Sequence, residues 1–199
     1  MQSKREANRA DLRKRLIDTA EAQIAEHGLK ALTARDVTTQ AGCALGALYN
    51  AFEDLDRLIL HVNSRTLARL GTALAASYPA NTSPKEALAA LAQAYVAFSM
   101  ANFRLWSALF SHRLPDGIEA PDWHRDDHAV LIAQIIKPLS QLRPDLGPAA
   151  LQQRAKTVFA SVHGVVALAL TGRFVSTPRD ALPGEVAALV DAMTRGLAG

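Results

Sequence analysis

Gly28-Leu-Lys-Ala-Leu32-Thr33-Ala-Arg35-Asp-Val37-Thr38-Thr-Gln-Ala41-Gly42-Cys-Ala44-Leu45-Gly46-Ala47-Leu48-Tyr49-Asn50-Ala-Phe52 is the stretch from which the fold is read. Thr33 stands where a helix N-cap belongs and opens a short helix, Ala34 to Ala41. Gly42 permits a sharp turn, and Ala44 to Ala51 forms the next short helix. Leu32, Val37, Leu48 and Phe52 can fill a small core beneath them. Upstream, Leu12, Leu16, Ile17, Ala20, Ile24 and Ala25 recur at three- and four-residue spacing, which predicts a helix from about Asn8 to His27. Gly28 then supplies a left-handed stop. Three helices with a glycine turn between the last two give a helix-turn-helix pattern.

Downstream the chain reads as helix throughout. Asp54 caps a long fourth helix with Leu55, Leu58, Ile59, Val62, Leu67, Leu70 and Leu74 inside, ending near Tyr78-Pro79. A fifth opens at Pro84 and reaches about Met100; a sixth covers Phe103 to His112. The seventh runs from Asp122 towards Leu142, with Pro138 expected to kink or end it. The eighth spans about Pro148 to Thr171, and the ninth about Pro183 to Leu197. Alanine and leucine dominate a hydrophobic content of 49%, which favours helix over strand. The fold class is all-α: about nine helices, with a helix-turn-helix domain at 1–53 and a helical body at 54–199.

The formal charge is +3. Lys4, Arg5, Arg9, Arg13, Lys14 and Arg15 face only Glu6 and Asp11 in the first fifteen residues, a surplus of four that exceeds the net charge of the whole chain. A basic arm running into a helix is a phosphate-binding footprint, although it also reads as a solvated helix start. Cys43 is the only cysteine, so no intrachain disulfide can form and a reducing, cytoplasmic setting is expected. No signal peptide is read at the N-terminus. The longest uncharged run, between Glu86 and Arg104, reads as a buried helix rather than a membrane span.

The quoted stretch resembles the DNA-binding segment of TetR-family regulators. The resemblance rests on Thr33, Ala41, Gly42, Gly46, Leu48, Tyr49 and Phe52 at the family's spacing. It implies a repressor released from a palindromic double-stranded operator by a small apolar or aromatic effector, with no cofactor, metal or catalytic residue. Candidate DNA contacts are Lys4, Arg5 and Arg9 from the arm, and Thr33, Arg35 and Thr38 from the second helix. The third helix adds Ala44, Leu45, Gly46, Ala47, Tyr49 and Asn50. Gly46 lets backbone approach a DNA strand, Tyr49 can reach a phosphate, and Thr33 aims the amides of the second helix outward. Ala44, Ala51 and Leu55 replace the serine, the His or Tyr, and the lysine common in the family. Asn50 and Tyr49 are the only polar side chains on the recognition helix, so affinity is expected to lean on phosphates.

Phe159-Ala-Ser-Val-His163-Gly164 through Gly172-Arg173 resembles the body of a TetR branch named for a Trp-His-Gly motif, with Phe159 in place of the tryptophan. His163 reads as a buried histidine with a satisfied hydrogen bond or as a ligand contact. The resemblance also implies a homodimer through helices eight and nine, where Val158, Val162, Val165, Val166, Leu168, Val186, Leu189, Val190 and Met193 stand. Tyr95, Phe98, Phe103, Trp106, Phe110 and Trp123 are mostly core. If a cavity remains among helices four to eight, they line it with Met100 and His163. Two other readings compete. One is a helical dimeric small-molecule-binding protein that has lost DNA binding. The other is a metal-dependent enzyme using His124 and His128, although those two read better as part of a solvated charged face.

Overall fold

The computed structural model describes residues 2–172 and 176–197, with the side chains of 4–172 and 176–196. Nine α-helices stand among these residues. They are α1 (Gln2–His27), α2 (Ala34–Gln40), α3 (Leu45–Phe52), α4 (Leu55–Ala75), α5 (Pro84–Ala101), α6 (Phe103–Ser111), α7 (Asp122–Leu142), α8 (Pro148–Thr171) and α9 (Leu182–Leu197). A single 3-10 turn, Leu29–Ala31, follows α1. The chain divides into two compact units, 1–67 with 104–124 and 68–103 with 125–199.

The first unit is built on the α1 stripe Leu16, Ala20 and Ile24, all fully buried. Val37 of α2, Leu48 and Phe52 of α3, Leu58 and Val62 of α4, and Leu105 and Ala108 of α6 close over it. Leu32 joins this cluster, so the small core read from the sequence is present. The Thr33 hydroxyl accepts from the Asp36 amide at 3.1 Å and caps α2. Gly28 (φ +82) and Gly42 (φ +66) hold backbone conformations that other residues adopt only with strain. Glu53 also has a positive φ, 71°, at the corner between α3 and α4, and it is the only non-glycine residue described there.

Cations on α1 tie the short helices down. The Arg15 guanidinium donates to the Ala41 carbonyl at 2.8 Å, at the end of α2. Arg13 donates to the Ala51 carbonyl near the end of α3, lies 4.2 Å above the Phe52 ring, and has Nη2 3.0 Å from Nε2 of His61. Arg104 of α6 likewise meets the Ala25 and Glu26 carbonyls that end α1. Each cation satisfies a carbonyl that the helix itself leaves open and sits at the negative end of the helix dipole.

In the second unit α9 packs on α5 and α8. Gln93 of α5 donates to the Pro183 carbonyl at 2.9 Å, and Lys85 pairs with Asp191 at 2.7 Å. A smaller cluster joins α7 to α8 through buried Leu139 and Ala155, with Ile132, Ile135, Ile136 and Leu151 against them. Ser83 and Glu86 form a reciprocal capping box at the start of α5.

Two expectations are corrected. The basic arm is already helical, since α1 starts at Gln2 rather than near Asn8. The fourth helix stops at Ala75, short of Tyr78-Pro79. Of the two outcomes expected at Pro138, a kink or an end, the second does not occur: α7 continues to Leu142, and the burial of Leu139 against α8 holds the helix beyond the proline. Arg173 lies outside the described residues.

Leu48→Ala is expected to destabilise the first unit by about 2–5 kcal/mol, because the fully buried side chain leaves a void among helices fixed by α1. Circular dichroism melting of the variant beside the wild type measures the loss.

Candidate nucleic-acid interface and ligand pocket

Helix α3 divides its side chains sharply. Leu48, Ala51 and Phe52 face the core, while Leu45 (41% exposed), Gly46, Tyr49 (48% exposed) and Asn50 share the opposite, solvent-facing side. Spacings of one, four and five residues place these four on one stripe of a helix. Two large apolar side chains left in water on so short a helix mark a surface meant to be covered. Ala44 is exposed and Ala47 half-buried. No side chain caps α3, and its Ala47 amide donates to the Ala44 carbonyl at 2.9 Å. A Cβ at Gly46 would meet nothing within 4 Å, so the glycine answers no internal packing need.

Lys4, Arg5, Arg9 and Arg35 are exposed, and none takes part in an ion pair among the described residues. Arg5, Arg9 and Arg13 follow at four-residue intervals along one face of α1, and Arg13 anchors that stripe at the end of α3. Two members of the second-helix set behave differently from expectation. Thr38 is 3% exposed, and its hydroxyl donates to the Ala34 and Arg35 carbonyls of its own helix, so it is not positioned to touch a phosphate. Thr33 is exposed, but its hydroxyl also donates to the Asp36 carboxylate at 2.6 Å. That carboxylate brings a negative charge to the end of α2 where an anion was expected.

The second unit contains an apolar pocket with about 590 Å³ of empty space, its open mouth included. Leu74 comes from α4, Leu91 and Tyr95 from α5, Leu131 and Ile135 from α7, Val158, Phe159 and Val162 from α8, and Val190, Met193 and Thr194 from α9. Its hydroxyls are engaged: Tyr95 lies 2.8 Å from Nδ1 of His163, and Thr194 donates to the Val190 carbonyl at 2.9 Å. His163 stacks on Phe159 with 5.6 Å between ring centres. Burial pushes its pKa down, so the neutral ring is favoured.

Of the expected ligand-contacting set, Tyr95 lines this pocket and His163 stands behind it. Phe98, Met100, Phe103, Trp106, Phe110 and Trp123 do not. Trp106 is buried against Phe110, Met100 faces solvent, Phe103 lies under the Arg179 guanidinium, and Trp123 stacks on His61 in the first unit. Sequence reading picks out the aromatic rings, whereas the lining is mainly aliphatic and draws on α9, which carries no aromatic residue. Phe159 is legible in the sequence only as a motif position. His124 is also corrected: it is 7% exposed, with Nδ1 3.2 Å from the Ser64 hydroxyl, rather than on a solvated face. Among the described residues no three His, Cys, Asp or Glu side chains gather as a metal site. No described helix is long and apolar enough to cross a membrane.

An N-terminal helix-turn-helix with an outward recognition helix, followed by a helical body, defines a class of DNA-binding regulators. The comparisons agree: residues 16–62 match the family described as Bacterial regulatory proteins, tetR family, and residues 88–197 match Tetracyclin repressor-like, C-terminal domain. The chain belongs to the TetR family of transcriptional regulators, which is not an enzyme family. A solved protein of unknown function from Rhodococcus sp. RHA1 is 27% identical, with a TM-score of 0.74 over 94% of this chain and 96% of that one. RolR, solved in complex with resorcinol, is 22% identical, with a TM-score of 0.69 over 97% and 95%. The TetR-family regulator PfmR from Thermus thermophilus is 17% identical, with a TM-score of 0.59 over 91% and 97%. No curated protein sequence matches the chain.

Because burial holds the His163 pKa below the ordinary imidazole value of 6.5, the folded protein takes up this proton less readily than the unfolded chain. Its contribution is therefore complete above about pH 6.5 and is lost as the pH falls through the lowered folded value. The melting temperature of the wild type should drop between about pH 7.5 and pH 5.5, and that of His163→Gln should drop less.

Proposed function

We propose that this chain is a ligand-responsive repressor that binds a palindromic operator as a cytoplasmic homodimer and is released by a small apolar or aromatic effector. Residues 1–53 act as the DNA-binding domain and 54–199 as the effector and dimerisation domain. The observation that carries the reading is the outward stripe Leu45, Gly46, Tyr49 and Asn50 on α3. Tyr49 reaches a phosphate, Gly46 allows close backbone approach, and Leu45 and Ala47 meet thymine methyl groups. Lys4, Arg5, Arg9 and Arg35 supply charge; Ala44 opens the helix, and Thr33 holds α2 in place. Thr38 drops out of the contact set.

The pocket supports an apolar or single-ring effector, since its two hydroxyls already donate or bond within the protein. The resorcinol held by RolR is a reasonable first compound to screen. For the dimer, Val158, Val162, Val166, Val186 and Val190 are buried within the subunit and Met193 lines the pocket, which leaves Val165, Leu168 and Leu189 to face a partner. Leu168, 41% exposed, is the strongest of these.

Fluorescence anisotropy on the gene's own upstream DNA tests the assignment. Tyr49→Ala should weaken binding at least about tenfold, and Asp36→Asn should strengthen it severalfold by removing charge from the end of α2. The logarithm of affinity should fall with the logarithm of salt at a slope as steep as about −7 if all four cations engage in each subunit of a dimer. Failure of every tested upstream fragment to bind would favour a dimeric small-molecule-binding protein without DNA affinity. Leu168→Glu is expected to shift the protein from dimer to monomer in analytical ultracentrifugation.

A further inference from the structure

The first unit holds a cleft that adjoins the recognition face and is separate from the apolar pocket. Arg9, Arg13, Arg57, His61 and Trp123 line it beside Asn50 of the recognition helix, around about 790 Å³ of empty space open to solvent. We propose that this cleft is a second ligand site, taking a small molecule with one planar aromatic ring and an anionic group. This inference goes beyond the repressor reading and does not depend on DNA binding.

The charge comes from three guanidiniums. Arg57 is offset by Glu53 at 3.8 Å, the one carboxylate in the lining. Arg9 is unpaired, and Arg13 is committed through hydrogen bonds to Ala51 and His61 rather than to any carboxylate. Burial, and secondly the charge of Arg9, lower the proton affinity of Arg13, so the two cations repel one another across the cleft. An anion between them relieves that repulsion, whereas a metal cation adds to it.

The ring requirement comes from Trp123. One face stacks on His61, with centres 4.6 Å apart and planes 12° apart, yet the residue remains 39% exposed at the wall of the cleft. A free phosphate would satisfy the arginines and leave this indole uncovered; an uncharged ring would cover the indole and leave the cations unmatched. A ring with an attached carboxylate meets both, and Asn50 adds an amide for a further polar substituent.

The two tryptophans separate the site optically, because Trp106 is 2% exposed and Trp123 is not. Titration of the full-length protein with benzoate, without DNA, should quench Trp123 emission saturably. The quench should disappear in Trp123→Phe and survive in Val162→Phe, which fills the apolar pocket. By calorimetry Arg9→Ala should bind benzoate roughly threefold to fivefold more weakly, and Glu53→Gln should bind it more tightly. Benzyl alcohol and cyclohexanecarboxylate, which lack the anion and the aromatic ring respectively, should each bind more weakly than benzoate. The proposal is overturned by the absence of a saturable response, by a calorimetric affinity unchanged in both Arg9→Ala and Trp123→Ala, or by abolition of the response in Val162→Phe. Quenching by duplex DNA but not by benzoate also overturns it, assigning the cleft to DNA phosphate.

Discussion

Two guanidinium groups on α1 hold the carbonyl ends of the two helices that make the turn. Arg15 closes α2 at Ala41, and Arg13 closes α3 at Ala51 while covering Phe52. A buried carbonyl left without a donor costs about 1–3 kcal/mol, so helices of seven and eight residues could not bear many such ends. Short helices are unstable alone, and here the long first helix supplies both the apolar stripe and the terminal donors. The face of α1 that grips α3 continues through Arg9 and Arg5, so these two exposed cations are in fixed register with the recognition helix.

The fold was legible because its signals were local. Thr33 as a cap, Gly28 and Gly42 as left-handed residues, and the period of Leu16, Ala20 and Ile24 each act within a turn or two of themselves. The departures arose where distant contacts decide. Nothing near Pro138 shows that Leu139 will be fastened to Ala155 on another helix, and nothing near Thr38 shows that its hydroxyl will turn back to Ala34. The cations of α1 looked alike in the sequence, yet Arg13 and Arg15 serve the fold while Arg5 and Arg9 remain outside it.

The ligand set was the least legible part. Aromatic residues attract attention because each buries so much area, but that is also why most of them become core. Trp106 and Phe110 fill the first unit, and the pocket of the second is left to Leu, Ile and Val with Tyr95 and Phe159. A cavity is a property of how helices pack, so its lining follows packing rather than residue type. The neutral His163 behind Tyr95 makes the wall polar on its far side only, which keeps the interior suited to apolar matter.

Glu53 gives the end of the recognition helix an unusual character. A side-chain-bearing residue held at φ 71° sits above its conformational minimum, typically by about 1–3 kcal/mol. The elbow between α3 and α4 therefore stores backbone strain, held in place by the contacts of Arg13 with Ala51 and Phe52. At the other end of the helix Gly42 holds its positive φ without that cost, so the strain is confined to the α4 side.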